Sequence, residues 1–175
     1  MPTGARLART DDVDAIAKIT VAAFRERLGD SIMGEVPELS DARMFADIWA
    51  QAILSPPSPL HRLAVAVGDD DRVRGYAAWG PSTEADCVPG DVEIMAFEIA
   101  PEHRRQGHGS RLMSAVVDLS ANAGGLGLLM WCHVADEGRR AFLQSMGWAP
   151  DSAWRDVEIS PDVVQREVRL VTALT

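Results

Sequence analysis

The stretch "RRQGHG", residues 104–109, places two arginines, one histidine and two glycines directly before a segment that turns apolar at helical spacing. The first amides of a helix have no intrahelical partner and carry partial positive charge, which suits an anion. Glycine lets the backbone approach a ligand closely, and arginine adds charge-assisted hydrogen bonds. The residues therefore predict a phosphate or pyrophosphate site at a strand-to-helix turn. A solvent-exposed basic turn with a glycine cap is the alternative that the residues alone leave open.

The positive charge of this stretch is local. Three arginines and one glutamate give residues 101–111 a net charge of +2, whereas the 175-residue chain has a net charge of −9. Because an acidic chain is poorly suited to nucleic acid or an anionic membrane, we expect neither as a partner. The acidity favours a cationic ligand, although solubility explains the same composition.

The elements that must position the turn follow a mixed order. Alternating or continuous apolar runs predict strands, and apolar residues at helical spacing predict helices. The predicted strands span 6–10, 61–68, 72–80, 91–100, 127–134, 154–160 and 165–174, and the predicted helices span 10–29, 40–54, 107–123 and 137–146. This order predicts an α/β fold (α+β by some schemes), with a mixed sheet and helices on both faces. A length of 175 residues suggests one domain over 1–175.

The remaining composition narrows the class of protein. The longest near-continuous apolar run, "LGLLMWC" at 126–132, is far shorter than the roughly 20 residues that a membrane span needs. The first residues show no apolar core typical of a signal peptide. The two cysteines, Cys87 and Cys132, lack the spacing of metal ligands. We therefore expect a cytoplasmic protein without a metal.

Two stretches together resemble the GNAT family, the GCN5-related N-acetyltransferases. "RRQGHG" matches the pattern [R/Q]-x-x-G-x-[G/A], within the strand, loop and helix of "FEIAPEHRRQGHGSRLM" at 97–113. "DEGRRAFLQSMGW" at 136–148 is similar to the family's last helix and its Gly-Phe ending. The resemblance implies a mostly antiparallel sheet in which strands 91–100 and 127–134 splay apart. It also implies acetyl-CoA, or another acyl-CoA, as the donor.

The resemblance further assigns residues to the donor. The turn would hold the pyrophosphate, the strand before it would contact the pantetheine arm, and the start of the last helix would accept a hydrogen bond. The cofactor-binding residues implied are Phe97, Ile99, Arg104, Arg105, Gln106, Gly107, His108, Gly109, Ser110 and Asp136.

Acetyl transfer to an amine needs a base for the amine proton, and Glu93 is the candidate. It lies eleven residues before Arg104, where histone-type members of the family place a glutamate. Its apolar neighbours predict burial, which raises a carboxyl pKa. A solvent-facing glutamate or a salt bridge is the alternative reading. Glu98, on the opposite face of the strand by alternation, ranks below it.

The chain departs from the family's pattern at the general acid. Many members have a tyrosine directly after the phenylalanine of the last helix, where this chain has Leu143. The single tyrosine, Tyr76, lies on an earlier strand. Water, Ser145 or His133 remains to protonate the leaving thiolate. Asp136 replaces the usual asparagine, so it accepts hydrogen bonds but donates none.

The expected function is transfer of an acetyl group from acetyl-CoA to a primary amine of a small molecule or peptide, by direct attack on the thioester. A catalytically weak or inactive acyl-CoA-binding protein with a sensing role is the alternative, because of the missing tyrosine. A phosphate-binding module unrelated to CoA is a third reading. The closing strands, 155–175, are candidates for an edge that pairs in a homodimer.

Overall fold

A computed structural model of the chain describes residues 4–174. Its strands are β1 (Gly4–Leu7), β2 (Arg62–Val67), β3 (Val73–Pro81), β4 (Asp91–Ile99), β5 (Gly127–His133), β6 (Ala149–Ser160) and β7 (Val163–Ala173). Its helices are α1 (Val13–Glu35), α2 (Ala42–Leu54), α3 (His108–Asn122) and α4 (Glu137–Ser145). Short 3-10 turns span Thr10–Asp12, Pro37–Ser40 and Pro101–His103.

The strands form one open sheet in the order β1-β2-β3-β4-β5-β7-β6. The pairs β1–β2, β2–β3, β5–β7 and β7–β6 are antiparallel, whereas β4 and β5 are parallel. The predicted mixed, mostly antiparallel sheet is therefore confirmed. The register of β4 with β5 runs only from Asp91–Gly127 to Glu93–Leu129, although β4 continues to Ile99. The ladder thus stops early on β4, as a splayed strand pair requires.

The first helix differs from the sequence prediction. Gly29 was predicted to end it, and residues 30–39 to form a loop. Gly29 does leave helical geometry, with φ of 78°, but the chain resumes the helix as far as Glu35. Leu28 and Met33 on either side of the kink are buried, at 8% and 4% exposure. Burial of this apolar face explains why the helix continues past a residue that usually ends one.

The chain divides into two compact units, and the first comprises residues up to 79 together with 96–118. Its core packs Ile16 of α1 against Val65 of β2 and Tyr76 of β3. The Tyr76 hydroxyl lies 2.8 Å from Thr20 Oγ1, which also accepts a hydrogen bond from Trp49 Nε1 at 3.0 Å. Tyr76, only 2% exposed, is therefore a core residue whose buried hydroxyl is hydrogen-bonded.

The second unit comprises residues 80–95 and those from 119 onward. Its strands β5, β7 and β6 carry two faces, because side chains alternate along a strand. One face is apolar and buried, with Leu128, Met130, Cys132 and Leu170 each at most 3% exposed. The other face carries Trp131 and Arg169, which are partners in the β5–β7 register. The loop 82–90 contacts this second face through its carboxylates.

Candidate functional site

The predicted anion turn lies in the first unit, between β4 and α3. Arg105 and Gly107 both adopt left-handed backbone conformations, with φ of 62° and 80°. Only glycine adopts this region without cost, so the non-glycine residue stores strain of about 1 kcal/mol or more. Left-handed residues in such turns make concavities lined by backbone N–H groups, which bind anions. Helix α3 begins at His108, so its first amides follow the turn directly.

The Arg104 side chain stabilises the turn through hydrogen bonds to neighbouring elements. Its guanidinium donates to both carboxylate oxygens of Glu26 on α1, at 2.6 and 2.5 Å, and its Nε donates to the carbonyl of Ile99 at 3.2 Å. The side chain thus joins the turn to α1 and to the end of β4. The sequence analysis assigned this charge to a phosphate, whereas in the structure the Arg104 guanidinium pairs with a carboxylate; both Arg104 and Arg105 are exposed.

Two further arginines surround the histidines of the turn. Arg74 of β3 lies 3.1 Å from His103 Nε2 and also forms an ion pair with Asp70. Arg111 of α3 donates to the carbonyl of Gln106 at 3.1 Å and lies 3.4 Å from His108 Nδ1. No local sequence pattern indicates that Arg74 contacts the turn, because this residue lies on a strand about thirty residues earlier. Arg74 therefore adds a guanidinium beside the turn, while Asp70 and Glu26 each pair with one of the arginines there.

His108 is buried at the start of α3, with 5% of its surface exposed. Burial lowers the pKa of its imidazole from 6.5, and the positive charges of Arg111, His103 and Arg74 lower it further, whereas Asp69 opposes them. The imidazole is therefore neutral at pH 7. Proton binding to it is disfavoured in the folded chain.

This pKa shift predicts a pH dependence of stability. Between pH 6.5 and the lower pKa of the folded state, the unfolded chain binds more protons at residue 108, so acidification lowers the free energy of unfolding. The variant His108→Asn, which keeps a hydrogen-bond acceptor, should lose less stability than the wild type between pH 7.5 and 5.5. Urea unfolding at both pH values measures this, with His61→Asn as the matched control. An H108N variant as acid-sensitive as the wild type would contradict the assignment.

The strand residues before the turn have distinct environments. Phe97 is buried at 5% exposure, and Ile99 is half-buried with its carbonyl held by Arg104. Glu98 is also buried, at 7% exposure, and its Oε1 accepts a hydrogen bond from Arg27 of α1 at 2.5 Å. Removing one partner of such a buried pair is strongly destabilising. The salt bridge with Arg27 therefore gives Glu98 a structural role between β4 and α1.

Glu93 lies in the second unit, half-buried on β4 opposite Leu129. Burial is the main cause that raises the pKa of its carboxyl above 4.5. The negative charges of Glu84 and Glu167 raise the pKa further, while Arg155 and Arg169 lower it. A carboxylate with a raised pKa is a stronger base than one in water, so the predicted role fits this environment.

A group of four residues, here called the Trp131 cluster, covers the same face of the second unit: Glu84, Trp131, Arg155 and Glu167. Trp131 Nε1 donates to Glu84 Oε1 at 2.9 Å, and the Arg155 guanidinium lies over the indole ring at 4.4 Å. Arg155 donates to Glu84 at 3.2 Å and to Glu167 at 2.7 Å. Within the cluster Trp131 thus contacts two charged side chains, Glu84 and Arg155, and no local sequence pattern indicates either contact.

The candidate acids have different hydrogen bonds. Leu143 is fully buried, in the place where the family's tyrosine was expected. The Ser145 hydroxyl donates to the carbonyl of Phe142 at 2.6 Å. His133 ends β5, opposite Glu167 in the register with β7. The Tyr76 hydroxyl is hydrogen-bonded to Thr20. His133 is the candidate whose strand partner, Glu167, belongs to the Trp131 cluster.

Asp136 caps helix α4. Its Oδ1 accepts the backbone N–H of Arg139 at 2.9 Å, and its Oδ2 accepts Arg139 Nε at 3.1 Å. A side-chain oxygen at this position satisfies an amide that the helix leaves without a partner. The replacement of asparagine by aspartate is thus explained locally, and the predicted contact with the cofactor arm stays a prediction.

Two features are absent from residues 4–174, the part of the chain that the structure describes. Within them, no helix combines the length and the apolar character that crossing a membrane requires. Over the same residues, His, Cys, Asp and Glu side chains nowhere gather in threes with a geometry that could hold a metal ion.

Comparison with solved structures shows the fold. YncA from Salmonella typhimurium, solved with its cofactor acetyl-CoA, is 18% identical, with a TM-score of 0.74 over 100% of this chain and 95% of that chain. Ribosomal-protein-alanine N-acetyltransferase from Brucella melitensis is 18% identical, with a TM-score of 0.75 over 97% and 99%. PaiA N-acetyltransferase from Thermoplasma acidophilum, in complex with coenzyme A, is 10% identical, with a TM-score of 0.72 over 99% of both chains.

Sequence comparison shows the family. No curated protein matches the chain significantly in sequence. The sequence model of the Acetyltransferase (GNAT) family matches residues 18–148, which include the RRQGHG turn, Glu93 and most of the strands described above. The match covers well over half of the 175 residues. The chain therefore belongs to the GNAT family of acetyltransferases.

Proposed function

We propose that this protein is an N-acetyltransferase that moves an acetyl group from acetyl-CoA to a primary amine. Family membership carries this proposal, supported by neighbours in fold that were solved with acetyl-CoA or coenzyme A. The RRQGHG turn supports it further, because its left-handed residues and the start of α3 suit a pyrophosphate. In this proposal the turn binds the donor chiefly through backbone amides, while Arg104 holds the turn in place.

The chemistry proposed is direct attack. Glu93 takes a proton from the acceptor ammonium, and the neutral amine attacks the thioester carbonyl carbon. A backbone N–H near Ile99 stabilises the negative charge that develops on the carbonyl oxygen. The C–N bond forms, the C–S bond breaks, and the departing thiolate takes a proton from water or from His133. The products are an acetylated amine and CoA.

The acceptor in this proposal is a small-molecule or peptide amine with positive charge. The net charge of −9 favours such a ligand over an anionic one. In this proposal the positive charge of the RRQGHG turn contacts the anionic donor and not the acceptor. Several neighbours in fold bear the names of enzymes that acetylate protein or small-molecule amines. Polyamines, aminoglycosides and lysine peptides therefore form the first panel of acceptors to assay, with thiol release as the readout.

The donor site predicts a thermal shift. Acetyl-CoA at about 100 times its Kd adds about 2.7 kcal/mol to the free energy of unfolding. For a chain of this length, the melting temperature should rise by about 5–10 °C, measured by differential scanning calorimetry. No rise with any CoA ester would mean that the RRQGHG turn is a basic loop without a donor.

Two glycine variants provide a matched control for this shift. Gly107 and Gly124 both have positive φ, 80° and 86°, so alanine strains the backbone similarly at each. A Cβ at Gly107 would lie 2.9 Å from Arg111 Nη1, whereas nothing lies within 4 Å of a Cβ at Gly124. We expect Gly107→Ala to diminish the acetyl-CoA shift and Gly124→Ala to preserve it.

An acyl-CoA-binding protein without catalysis is the second candidate. It is favoured by Leu143, which is buried where the family's tyrosine was expected and offers no proton. A full thermal shift with acetyl-CoA, combined with background thiol release for every amine in the panel, would select this candidate over the enzyme.

A further inference from the structure

Loop 82–90 carries a carboxylate to the face of the sheet that bears Glu93. Glu93 is opposite Leu129 on β5, and Trp131 lies two residues further along the same strand, so all three side chains share one face. Glu84 of the loop accepts the Trp131 indole N–H at 2.9 Å. Because Trp131 is fixed in a central strand, it determines where the Glu84 carboxylate lies.

The position of Glu84 is held from several sides. Its backbone N–H donates to Ser82 Oγ at 3.2 Å, and its Oε1 accepts Arg155 Nη1 at 3.2 Å. Two residues further on, Asp86 of the same loop pairs with Arg169 of β7, which is itself 7% exposed. The loop therefore has little freedom to move its carboxylate away from the sheet.

Arg155 is the counter-charge of this arrangement. Its guanidinium carbon lies over the Trp131 ring, 4.4 Å from the centroid, and the group donates to Glu167 at 2.7 Å as well as to Glu84. With Glu84 replaced, Arg155 would keep Glu167 and the indole ring as partners. Glu84 and Arg155 are thus two opposite charges at fixed places on the face that carries Glu93.

We propose that Glu84 and Arg155 are positioning residues for the reaction at Glu93: this hydrogen-bonded pair on Trp131 fixes how readily Glu93 accepts a proton. The proposal rests on the proposed function, in which Glu93 is the base for the acceptor amine. Neither residue is required to touch the substrate. Glu84 makes Glu93 a stronger base by like charge, and Arg155 limits that effect.

The direction of each effect follows from charge. The pKa of Glu93 is raised by Glu84 from the loop and Glu167 from β7, and lowered by Arg155 from β6 and Arg169 from β7. Removing Glu84 must therefore lower the pKa of Glu93, and removing Arg155 must raise it. A purely structural role does not predict opposite shifts, because the effect of lost contacts does not follow the sign of the charge that is removed.

The test compares Glu84→Gln with Arg155→Gln in the full chain. The carboxyl carbon of Glu93 is titrated by 13C NMR, assigned through its loss in Glu93→Gln. We expect the midpoint to move to lower pH in E84Q and to higher pH in R155Q. Glu158→Gln on β6 makes the same change at an exposed carboxylate outside the Trp131 cluster and should leave the midpoint unchanged. Shifts in one direction for both variants, or none, would overturn the proposal.

A second measurement separates this inference from the proposed function. The acid limb of the kcat/KM profile, measured with one amine of the panel, should move as the NMR midpoint moves. Opposed NMR shifts without a matching move of the limb would uphold the charge pair and show that Glu93 is not the base. Because glutamine keeps an acceptor for the Trp131 indole, E84Q should fold, and a near-wild-type melting temperature verifies this.

Discussion

Replacement of Glu93 by glutamine should lower kcat/KM for acetylation of an amine by about 10²- to 10⁴-fold, the usual contribution of a general base. Glutamine has nearly the same volume and occupies the same place on β4, but it accepts no proton. The effect should fall on kcat, since the amine is deprotonated in the step that leads to attack. Thiol release under saturating acetyl-CoA measures it.

The pH dependence of the same variant gives a second readout. Because the pKa of Glu93 is raised by burial, the base is formed only as the pH rises above that pKa, and kcat/KM should rise with it. E93Q should lose this limb. A variant that keeps both the wild-type rate and the wild-type limb would exclude Glu93 as the base.

Stability of the variant distinguishes catalysis from misfolding. A raised carboxyl pKa means that ionisation costs more in the folded chain than in the unfolded one. The stability that the protonated carboxyl contributes is therefore lost as the pH rises through the pKa of the folded state. Glutamine never ionises, so E93Q should melt no lower than the wild type at pH 8. It should also keep the full thermal shift with acetyl-CoA, since the RRQGHG turn is unchanged.

Replacement of Gly75 by alanine should be the most destabilising single methyl addition among the described glycines. A Cβ at Gly75 on β3 would lie 2.5 Å from the carbonyl oxygen of Glu98 and closer still to the Ile99 side chain. The carbonyl belongs to the backbone of β4, which cannot rotate away as a flexible side chain can. Overpacking of this kind costs about 1–3 kcal/mol, and a backbone neighbour places this site at the upper end.

The measurement is thermal unfolding. A loss of about 3 kcal/mol corresponds to a melting temperature about 6–12 °C lower for a chain of this length. Gly34→Ala is the control, because a Cβ at that position of α1 meets nothing within 4 Å. Alanine there should stabilise the helix by about 0.5–1 kcal/mol. Equal melting temperatures for G75A and G34A would contradict the close approach of β3 and β4.

Helix α1 holds the end of β4 and the turn that follows through two consecutive residues. Glu26 pairs with Arg104 of the turn, and Arg27 pairs with the buried Glu98 of β4. The first pair is half-exposed, so its contribution to stability is small, whereas the second is largely buried and costly to break. Together with Ala100, whose N–H donates to the Arg74 carbonyl at 2.8 Å, these contacts fix the strand end that precedes the turn.

The sequence by itself determined the order of the elements and the location of the RRQGHG turn between β4 and α3. Apolar spacing and terminal signals act within a few residues, so they placed α3 and α4 to within one residue of the structure at each end. The basic, glycine-containing turn was equally local. Together with the second stretch at 136–148, it identified the family that the comparison confirms.

The tertiary structure alone decided which charges meet. Arg104 binds Glu26 across 78 positions, and Glu84 reaches Trp131 across 47 and Arg155 across 71. Periodicity records which face of an element is buried, but it does not record which element covers that face. The continuation of α1 past Gly29 and the environment of Glu93 have the same cause. Both depend on neighbours that packing brings from distant parts of the chain, and a local pattern of residues does not encode them.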